Sequence, residues 1–220
     1  MLRYLFVPEY VKTIIYTIPA ILLSISAHEF AHGFVSYKLG DPTPKQEGRL
    51  TLNPFAHMDI VGTICMLLFR MGWAKPVSIN PYYYKNRKKG IIAVSMAGPC
   101  MNYLLAFLSM FVFGICYKSG WNIGIWFYYI AVLNIGLGTF NLIPIPPLDG
   151  SKVAAELIPS VENFYYKIKP YSMILLVILL TTGILTEPVN LIEDTVLNGM
   201  WKFVCMCLRI PASIGNGIYL

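Results

Sequence analysis

Charged residues are scarce in this sequence. Asp, Glu, Lys and Arg make up 13% of its 220 residues, whereas 56% are hydrophobic and the mean hydropathy is +0.60. Soluble chains carry about 25% charged residues, so this composition excludes an ordinary soluble domain. It predicts a membrane protein whose charged residues lie in the connectors.

Paired cysteines are also lacking. The five cysteines lie in apolar or amphipathic stretches, and no two of them are spaced as C-x-x-C. This pattern indicates neither a disulfide framework nor a cysteine zinc site. We expect the cysteines to pack in the interior.

The net charge of +6 does not indicate a nucleic-acid partner in a chain this apolar. Four of the basic residues lie in the cluster 85–89, directly after Tyr82, Tyr83 and Tyr84. Tyrosines beside Lys and Arg are typical of a segment that anchors on an anionic lipid surface. We therefore expect the lipid bilayer, and no nucleic acid, as the partner of this cluster.

Long uncharged runs fill most of the chain. No charged residue occurs in 91–117, 119–148 or 170–186, and a fourth run, 13–37, is interrupted only by His28, Glu29 and His32. About 20 apolar residues are enough for a helix to span a bilayer. The sequence therefore predicts one all-α polytopic domain over residues 1–220. Its transmembrane helices, about four in number, are predicted at 13–37, 91–117, 121–143 and 170–186.

Connectors rich and poor in Lys and Arg alternate along the chain. Nine of the 17 basic residues lie within 38–90 and three within 149–169, but only Lys118 lies between the second and third runs. Basic residues concentrate on the cytoplasmic side of membrane proteins. We therefore expect a multi-pass protein of the cell membrane with these two connectors in the cytoplasm.

The connector at about 48–80 has a pattern of its own. Residues 60–69 form an apolar run that is too short to cross as a helix, and the flanking segments 49–54 and 75–81 alternate like strands. This pattern predicts a membrane-embedded β-hairpin or re-entrant segment, with a plain cytoplasmic loop as the alternative. Further on, 191–210 mixes charged and aromatic residues, which predicts an amphipathic helix on the membrane surface.

Two of the three histidines form the motif His28-Glu29-Phe30-Ala31-His32. On a helix, residues i and i+4 share a face, so both imidazoles can reach one Zn²⁺ while Glu29 stays beside the metal as a base. On the order of 0.001 such motifs are expected by chance in a chain of this composition. Without a metal, each ionisable group in a span would cost at least about 2.5 kcal/mol. We therefore predict one zinc ion per chain.

A catalytic zinc takes three protein ligands and keeps one position open, so a third ligand must come from another part of the chain. Asp149 and His57 are the candidates. Asp149 follows a proline-rich break after the third helix, and with Glu29 it would balance the charge of Zn²⁺. His57 would leave a net positive charge in a poorly solvated place. Capping of the following helix is the alternative role of Asp149.

These residues together resemble the site-2 protease family of intramembrane zinc metalloproteases, in its compact bacterial form without a PDZ or CBS domain. The resemblance covers much of the chain. It rests on the motifs at 28–32, 48–57, 98–102 and 141–150.

The resemblance implies that His28, His32 and Asp149 are the zinc ligands and that Glu29 is the catalytic base and acid. It also implies a zinc-activated water that hydrolyses peptide bonds in or next to transmembrane segments of membrane proteins, in regulated intramembrane proteolysis. The charge pattern and the position of His32 place this site toward the cytoplasmic side. A non-proteolytic metal-binding membrane protein, such as a pseudoprotease or transporter, is the alternative. Retention of Glu29, which is not a ligand, argues against it.

The resemblance further suggests that Asn102 and Asn141 lie near the site and contact the substrate or its oxyanion. Packing between helices is the alternative role of Asn102. The embedded hairpin would pair with an unwound substrate strand, and His57 would be structural. A module that grips membrane proteins without cutting them is a further alternative. No sensor module is recognisable, so a regulatory partner, if the protein has one, would be a separate molecule.

Overall fold

The computed structural model describes residues 8–59, 62 and 75–211, and this part of the chain is built from helices. We number them α1 (Pro8–Lys38), α2 (Thr43–Gln46), α3 (Arg87–Lys118), α4 (Gly124–Asn141), α5 (Asp149–Leu157), α6 (Pro159–Ile168), α7 (Ser172–Thr181) and α8 (Thr186–Leu208). Short 3₁₀ turns occur at Pro54–Ala56, Pro81–Tyr83 and Lys169–Tyr171. The predicted all-α class is confirmed for the described residues.

The centre of the fold is a layer formed by α1, α3 and α4, which pack against one another, while α8 packs on α3 and α4 and α5 packs on α3. The two ends of this layer differ in chemistry. What we term the polar half contains the buried side chains of Ser24, His28, His32, Asn102 and Asn134. What we term the apolar half contains the buried side chains of Met110, Phe113, Ala131, Trp201 and Val204.

Prolines and a polar cap set the ends of the helices that carry the site. Asn86 begins α3 by accepting a hydrogen bond from the N–H of Lys89. After α4 ends at Asn141, the proline-containing segment 142–148 interrupts the helix until α5 begins at Asp149. The helix break predicted before Asp149 is confirmed.

Three helical stretches are long and apolar enough to cross a membrane, namely Tyr16–Lys38, Arg87–Lys118 and Pro159–Thr181. The first two match the predicted spans 13–37 and 91–117. The third begins earlier than the predicted 170–186, because α6, a 3₁₀ turn and α7 follow one another directly.

The prediction of four spans is not confirmed. The predicted span 121–143 forms α4, but α4 is not among the three stretches that are apolar enough. α4 has only 18 residues, and Asn134 and Asn141 are among them. α4 is nevertheless a central helix of the layer, because it packs on both α1 and α3.

The predicted β-hairpin at 48–80 is also not confirmed. Within the described residues 48–59 and 75–80 there is no strand, only an isolated bridge at Met58 and a hydrogen bond of 2.9 Å from the Lys75 N–H to the His57 carbonyl. Pro54 and Pro76 cannot donate hydrogen bonds to a ladder, which limits strand pairing here. The predicted re-entrant run 60–69 lies outside the described residues except for one position, 62.

The predicted C-terminal helix at 191–210 is confirmed as a helix, although α8 begins earlier, at Thr186, and ends at Leu208. Trp201 and Val204 are buried on its inner face, whereas Leu191 and Met206 are each 70% exposed. α8 is therefore amphipathic, and its placement on the membrane surface stays a prediction.

Candidate metal centre

The helical spacing in α1 places His28 and His32 on one face of the polar half. Their Nε2 atoms lie 3.0 Å apart, and each residue is 5% exposed. The rings meet edge to face, with centroids 4.6 Å apart. Both imidazoles therefore direct one nitrogen to the same point, as the i, i+4 motif predicts.

Asp149 reaches this point from the start of α5. Its Oδ2 lies 3.1 Å from His28 Nε2 and 2.9 Å from His32 Nε2. The next residue, Gly150, lies so close to the end of α4 that a Cβ there would be 2.6 Å from the Ile143 carbonyl oxygen. This close approach packs the start of α5 against the segment directly after α4, where Asp149 lies next to the two histidines. Leu148 occupies the N-cap position of α5, and Asp149 forms no side-chain cap, so the alternative capping role is not seen.

The other carboxylate oxygen of Asp149 has a different partner. Lys152, one turn along α5, donates a hydrogen bond of 2.8 Å to Oδ1. Burial raises the pKa of Asp149, but its polar contacts and the positive charge of Lys152 lower it further, so the net pKa lies well below its ordinary value. Asp149 is therefore ionised at neutral pH.

The far nitrogens of the two imidazoles show which atoms carry hydrogen. His32 Nδ1 lies 2.7 Å from the Val94 carbonyl oxygen, and His28 Nδ1 lies 2.5 Å from Asn102 Oδ1. Both oxygens can only accept, so each Nδ1 carries the hydrogen and each Nε2 presents a lone pair. Together with Asp149 Oδ2, these atoms bring three acceptors to one point.

Three converging lone pairs need a shared positive centre, and their chemistry fits zinc. Neutral imidazole and carboxylate are ordinary zinc ligands, and histidine ligands usually donate their other N–H to an oxygen. Ligands about 2.0–2.1 Å from a tetrahedral ion lie about 3.3 Å apart, close to the 2.9–3.1 Å seen here. The residues present therefore fit a bound zinc ion.

Gly98 leaves the space for this centre. A Cβ on Gly98 would lie 2.5 Å from His32 Nε2 and 2.6 Å from His28 Nε2. Real side chains do not approach so closely, so any other residue at this position would displace the imidazoles. The glycine of α3 thus forms one wall of the metal centre.

Glu29 lies beside the histidines, but its carboxylate is not one of the three groups that converge at this point. Its Oε2 accepts a hydrogen bond of 3.0 Å from the backbone N–H of Val77, and its side chain is half-buried. No other hydrogen bond to this carboxylate occurs within the described part of the chain. One carboxylate oxygen is therefore fixed by the backbone, and the other has no hydrogen-bond partner among the described residues.

Asn141 and His57 lie apart from the point where the two histidines and Asp149 converge. Asn141 donates to the carbonyl of Leu137 in its own helix at 2.9 Å. His57 is buried, and its Nε2 donates to the Thr51 carbonyl at 2.8 Å, so the structure brings Asp149 rather than His57 to the histidines. The roles predicted for Asn102 and Asn141 at the substrate stay predictions.

Several side chains around the centre were not identified from the sequence. Asn134 and Lys152 contact Asn102 and Asp149, and Val77 holds Glu29. A polar residue inside a long uncharged run signals a role in the interior, and this signal could have identified Asn134. The backbone N–H of Val77 leaves no mark in a sequence.

Comparison with known proteins adds independent information. A family model described as peptidase family M50 matches residues 116–182, which include α4 and Asp149. A Bacillus subtilis protein named "Putative zinc metalloprotease YwhC" is 36% identical over 189 residues, covering 82% of this chain and 85% of its own.

Two mycobacterial relatives carry the name "Putative zinc metalloprotease Rip2". The protein from Mycolicibacterium smegmatis is 30% identical over 190 residues, 81% of this chain and 71% of its own. The protein from Mycobacterium tuberculosis strain H37Rv is 27% identical over 181 residues, 77% of this chain and 68% of its own. No solved structure matches the chain.

Proposed function

This chain belongs to peptidase family M50, the site-2 protease family, and we propose that it is an intramembrane protease that hydrolyses peptide bonds in or next to the transmembrane segments of other membrane proteins. Family membership and the names of its relatives support a zinc metalloprotease. The single observation that carries the proposal is the convergence of His28, His32 and Asp149 next to Glu29 inside the helix layer.

In this proposal the two Nε2 atoms and Asp149 Oδ2 hold one zinc ion. Zinc, when bound, polarises the scissile carbonyl and lowers the pKa of the attacking water. The protein contributes a dry, shaped site, because all three ligands are 5% exposed. Val94 and Asn102 orient the imidazoles, and Lys152 holds the second oxygen of Asp149.

Glu29 is the proton carrier of the reaction. The Val77 N–H fixes Oε2, so Oε1 takes the proton of the water as its oxygen adds to the peptide carbonyl carbon. As the carbon–nitrogen bond breaks, Oε1 gives that proton to the leaving amine. Glu29 is then ionised again and ready for another cycle.

Access to the site follows from the chemistry of the substrate. A transmembrane helix hides its carbonyl groups in its own hydrogen bonds, so the substrate must unwind before it is cut. Residues 75–80 carry no helix and pass Glu29 at Val77. We assign this segment as the edge along which an unwound substrate strand lies.

The two asparagines divide between different tasks in this proposal. Both amide hydrogens of Asn102 are used, by the Ser24 carbonyl and by Asn134 Oδ1. We therefore assign Asn102 to holding His28, and we keep only Asn141, at the end of α4, as a candidate contact to the substrate.

The surroundings proposed for the enzyme are a bilayer with the site toward the cytoplasm. Tyr82 and Tyr83 are 90% and 52% exposed, and the basic residues of the cluster 85–89 are exposed beside them. Exposed aromatics next to cations suit a membrane–water boundary with anionic lipid.

The test is cleavage of a panel of single-span membrane proteins that are reconstituted together with the enzyme. Wild type, Glu29→Gln and the matched control Glu47→Gln, whose side chain is exposed on the protein surface, are compared, with zinc measured on the same samples. We expect wild type and Glu47→Gln to cut, and Glu29→Gln to hold one zinc without cutting.

Two results would count against the proposal. If wild type binds no zinc, the proposed metal centre is wrong. If Glu29→Gln cuts as fast as wild type, Glu29 is not the proton carrier. If wild type binds zinc but cuts no member of a broad panel, a non-proteolytic metal-binding role takes its place.

A further inference from the structure

A chain of buried hydrogen bonds runs from α4 to the metal centre, and we propose that Asn134, at its far end, is a positioning residue that sets His28 for zinc binding. The inference rests on the proposed function, because it concerns how the same zinc site is held. Asn134 and Asn102 are each 0% exposed and Ser24 is 1% exposed. They lie on α4, α3 and α1, so the chain links all three helices of the layer.

The orientation of the Asn134 amide is fixed at the α4 end. Its Nδ2 lies 2.8 Å from the Ile130 carbonyl oxygen, which can only accept. The second hydrogen of Nδ2 points to Ser24 Oγ at 2.7 Å, and that hydroxyl donates to the Ala20 carbonyl at 2.6 Å. Every donor on this side has an acceptor, so the amide oxygen of Asn134 must face the other way.

That oxygen orients Asn102 in turn. Asn134 Oδ1 accepts from Asn102 Nδ2 at 2.7 Å, and the other hydrogen of the same Nδ2 points to the Ser24 carbonyl at 3.3 Å. Asn102 Oδ1 therefore faces His28 Nδ1 at 2.5 Å. His28 must carry its hydrogen on Nδ1, which leaves the Nε2 lone pair for the metal.

Comparison of the two histidines shows why His28 needs this chain. His32 Nδ1 donates to the backbone carbonyl of Val94, which cannot rotate. The partner of His28 is a side-chain amide, and an amide turned by half a circle would present its NH₂ to Nδ1. The hydrogen of His28 would then move to Nε2 and block the metal.

Asn134 prevents that turn. A turned Asn102 would direct its oxygen at Asn134 Oδ1 and at the Ser24 carbonyl, which are both acceptors. Without Asn134, only the longer contact to Ser24 would favour the correct orientation. The amide of Asn134 thus determines, through Asn102, which nitrogen of His28 binds zinc.

A matched control lies on the same two helices. The Tyr103 hydroxyl and Thr139 Oγ1 join α3 and α4 at 2.8 Å, and Thr139 is 4% exposed. This hydrogen bond does not lead to a histidine. Thr139→Val removes a hydrogen bond between α3 and α4 and leaves the chain of hydrogen bonds from Asn134 to His28 intact.

The experiment uses nitrogen-15 histidine labelling of the full chain in detergent micelles, since three histidines give a simple spectrum. In metal-free wild type at mildly alkaline pH, we expect a hydrogen on Nδ1 of His28 and His32, and on Nε2 of His57. We expect Asn134→Leu to remove the hydrogen from His28 Nδ1 in part of the molecules. Zinc affinity should fall about tenfold, the lower end of effects for groups beyond the ligands.

Asn134→Asp and a double variant extend the test. In its protonated form the aspartate keeps an acceptor toward Asn102 and a hydroxyl donor toward the Ile130 carbonyl, so we expect it to retain the hydrogen on His28 Nδ1. Because Asn134 acts through Asn102, Asn102→Leu combined with Asn134→Leu should bind zinc no more weakly than Asn102→Leu alone. If Asn134→Leu does not fold, Ser24→Ala, which removes one acceptor of the Asn134 amide, replaces it with a smaller shift in the same direction.

The inference is overturned if Asn134→Leu leaves the His28 signals and the zinc affinity as in wild type. Equal loss in Thr139→Val, or additive losses in the double variant, would also overturn it, since the effect would then be general packing. Failure of the proposed function has a different signature. Wild type would bind no zinc, while the tautomer of His28 in the metal-free protein would still report on Asn134.

Discussion

The polar and apolar halves of the helix layer are held by different kinds of contact. In the polar half each donor meets one particular acceptor, as in the hydrogen bonds that join Asn134, Asn102 and His28. In the apolar half, rings and aliphatic chains fill volume. There the buried Trp201 Nε1 has no hydrogen-bond partner within the described residues. The polar half therefore depends on the direction of its hydrogen bonds, and the apolar half depends on how well its side chains fit together.

Two glycines of α3 show this difference within one helix. A Cβ on Gly98 would meet the imidazoles of His28 and His32, whereas a Cβ on Gly114 would meet the side-chain ends of Val204 and Leu208. Ligand nitrogens have to stay in place for the site to work, but aliphatic ends can move to other rotamers. Similar crowding should therefore affect function in one half and stability in the other.

The largest effect should come from Gly98→Ala. The new methyl group displaces the two Nε2 atoms, so we expect zinc affinity to fall by more than about 100-fold, beyond the loss typical of groups outside the ligands. Isothermal titration of metal-free protein with zinc measures it. Wild-type affinity in this variant would show that the two halves tolerate crowding alike.

Gly114→Ala is the counterpart in the apolar half. We expect it to lower the free energy of unfolding by about 1–3 kcal/mol through overpacking, with zinc affinity unchanged. Unfolding in mixed detergent micelles gives the first quantity and zinc titration the second. A variant that lost zinc before it lost stability would break the comparison.

A smaller change is expected where the polar half meets water. Lys152 is about half exposed at its side chain, 51%, and donates to Asp149 Oδ1 at 2.8 Å. Lys152→Met removes the charge and keeps the stem, so we expect zinc affinity to fall about tenfold. Lys167→Met, at an exposed position on α6, is the control and should bind as wild type does. Equal zinc affinities of the two variants would show that Lys152 does not contribute to zinc binding.

The smallest effect is expected in the stability of the protein at acidic pH. Asp41 is fully buried just after α1, and it accepts hydrogen bonds from Ser36 Oγ and from the N–H groups of Thr43 and Asn80. Burial raises the pKa of Asp41, but these hydrogen bonds lower it further, so the net pKa lies below the ordinary 3.8. Its contribution to stability is therefore complete above pH 3.8 and is lost as the pH falls through the lower, folded-state pKa.

At pH 3.8 the unfolded carboxyl is half protonated, so Asp41 should already have lost up to about 0.4 kcal/mol of its contribution. Asp41→Asn has no such titration, and the difference between the unfolding curves of the two proteins from pH 7 to pH 3.8 isolates the effect. Hydrogen exchange should increase at residues 77–84 and not in the apolar half. Identical pH dependence of wild type and variant would contradict this account.

The sequence predicts those parts of the site whose geometry is local. The spacing of His28 and His32 places them on one helix face, and the prolines before Asp149 indicate the break that the structure has. The choice of Asp149 over His57 followed from charge, and the structure places Asp149 with the histidines.

Other features depend on which helices become neighbours, and the sequence predicts them less directly. Gly98 and Asn134 form part of the site only because α3 and α4 pack on α1, and Val77 contributes a backbone hydrogen that every residue except proline has. The strands predicted at 48–80 rested on the alternation of polar and apolar residues. That pattern takes no account of the prolines in this segment, which have no N–H to donate to a strand ladder. The predicted fourth span relied on the lack of charge in α4, and it stays a prediction.

Asp149 stands 121 residues after His28 in the chain. At 5–20 residues per second, the ribosome adds Asp149 roughly 6–24 s after His28. During that interval α1 arrives at the membrane with its imidazoles and no carboxylate from α5 to complete the set. A partly synthesised chain therefore lacks one of the three residues that converge at the candidate metal centre. The three can come together only after α5 has been synthesised and has docked.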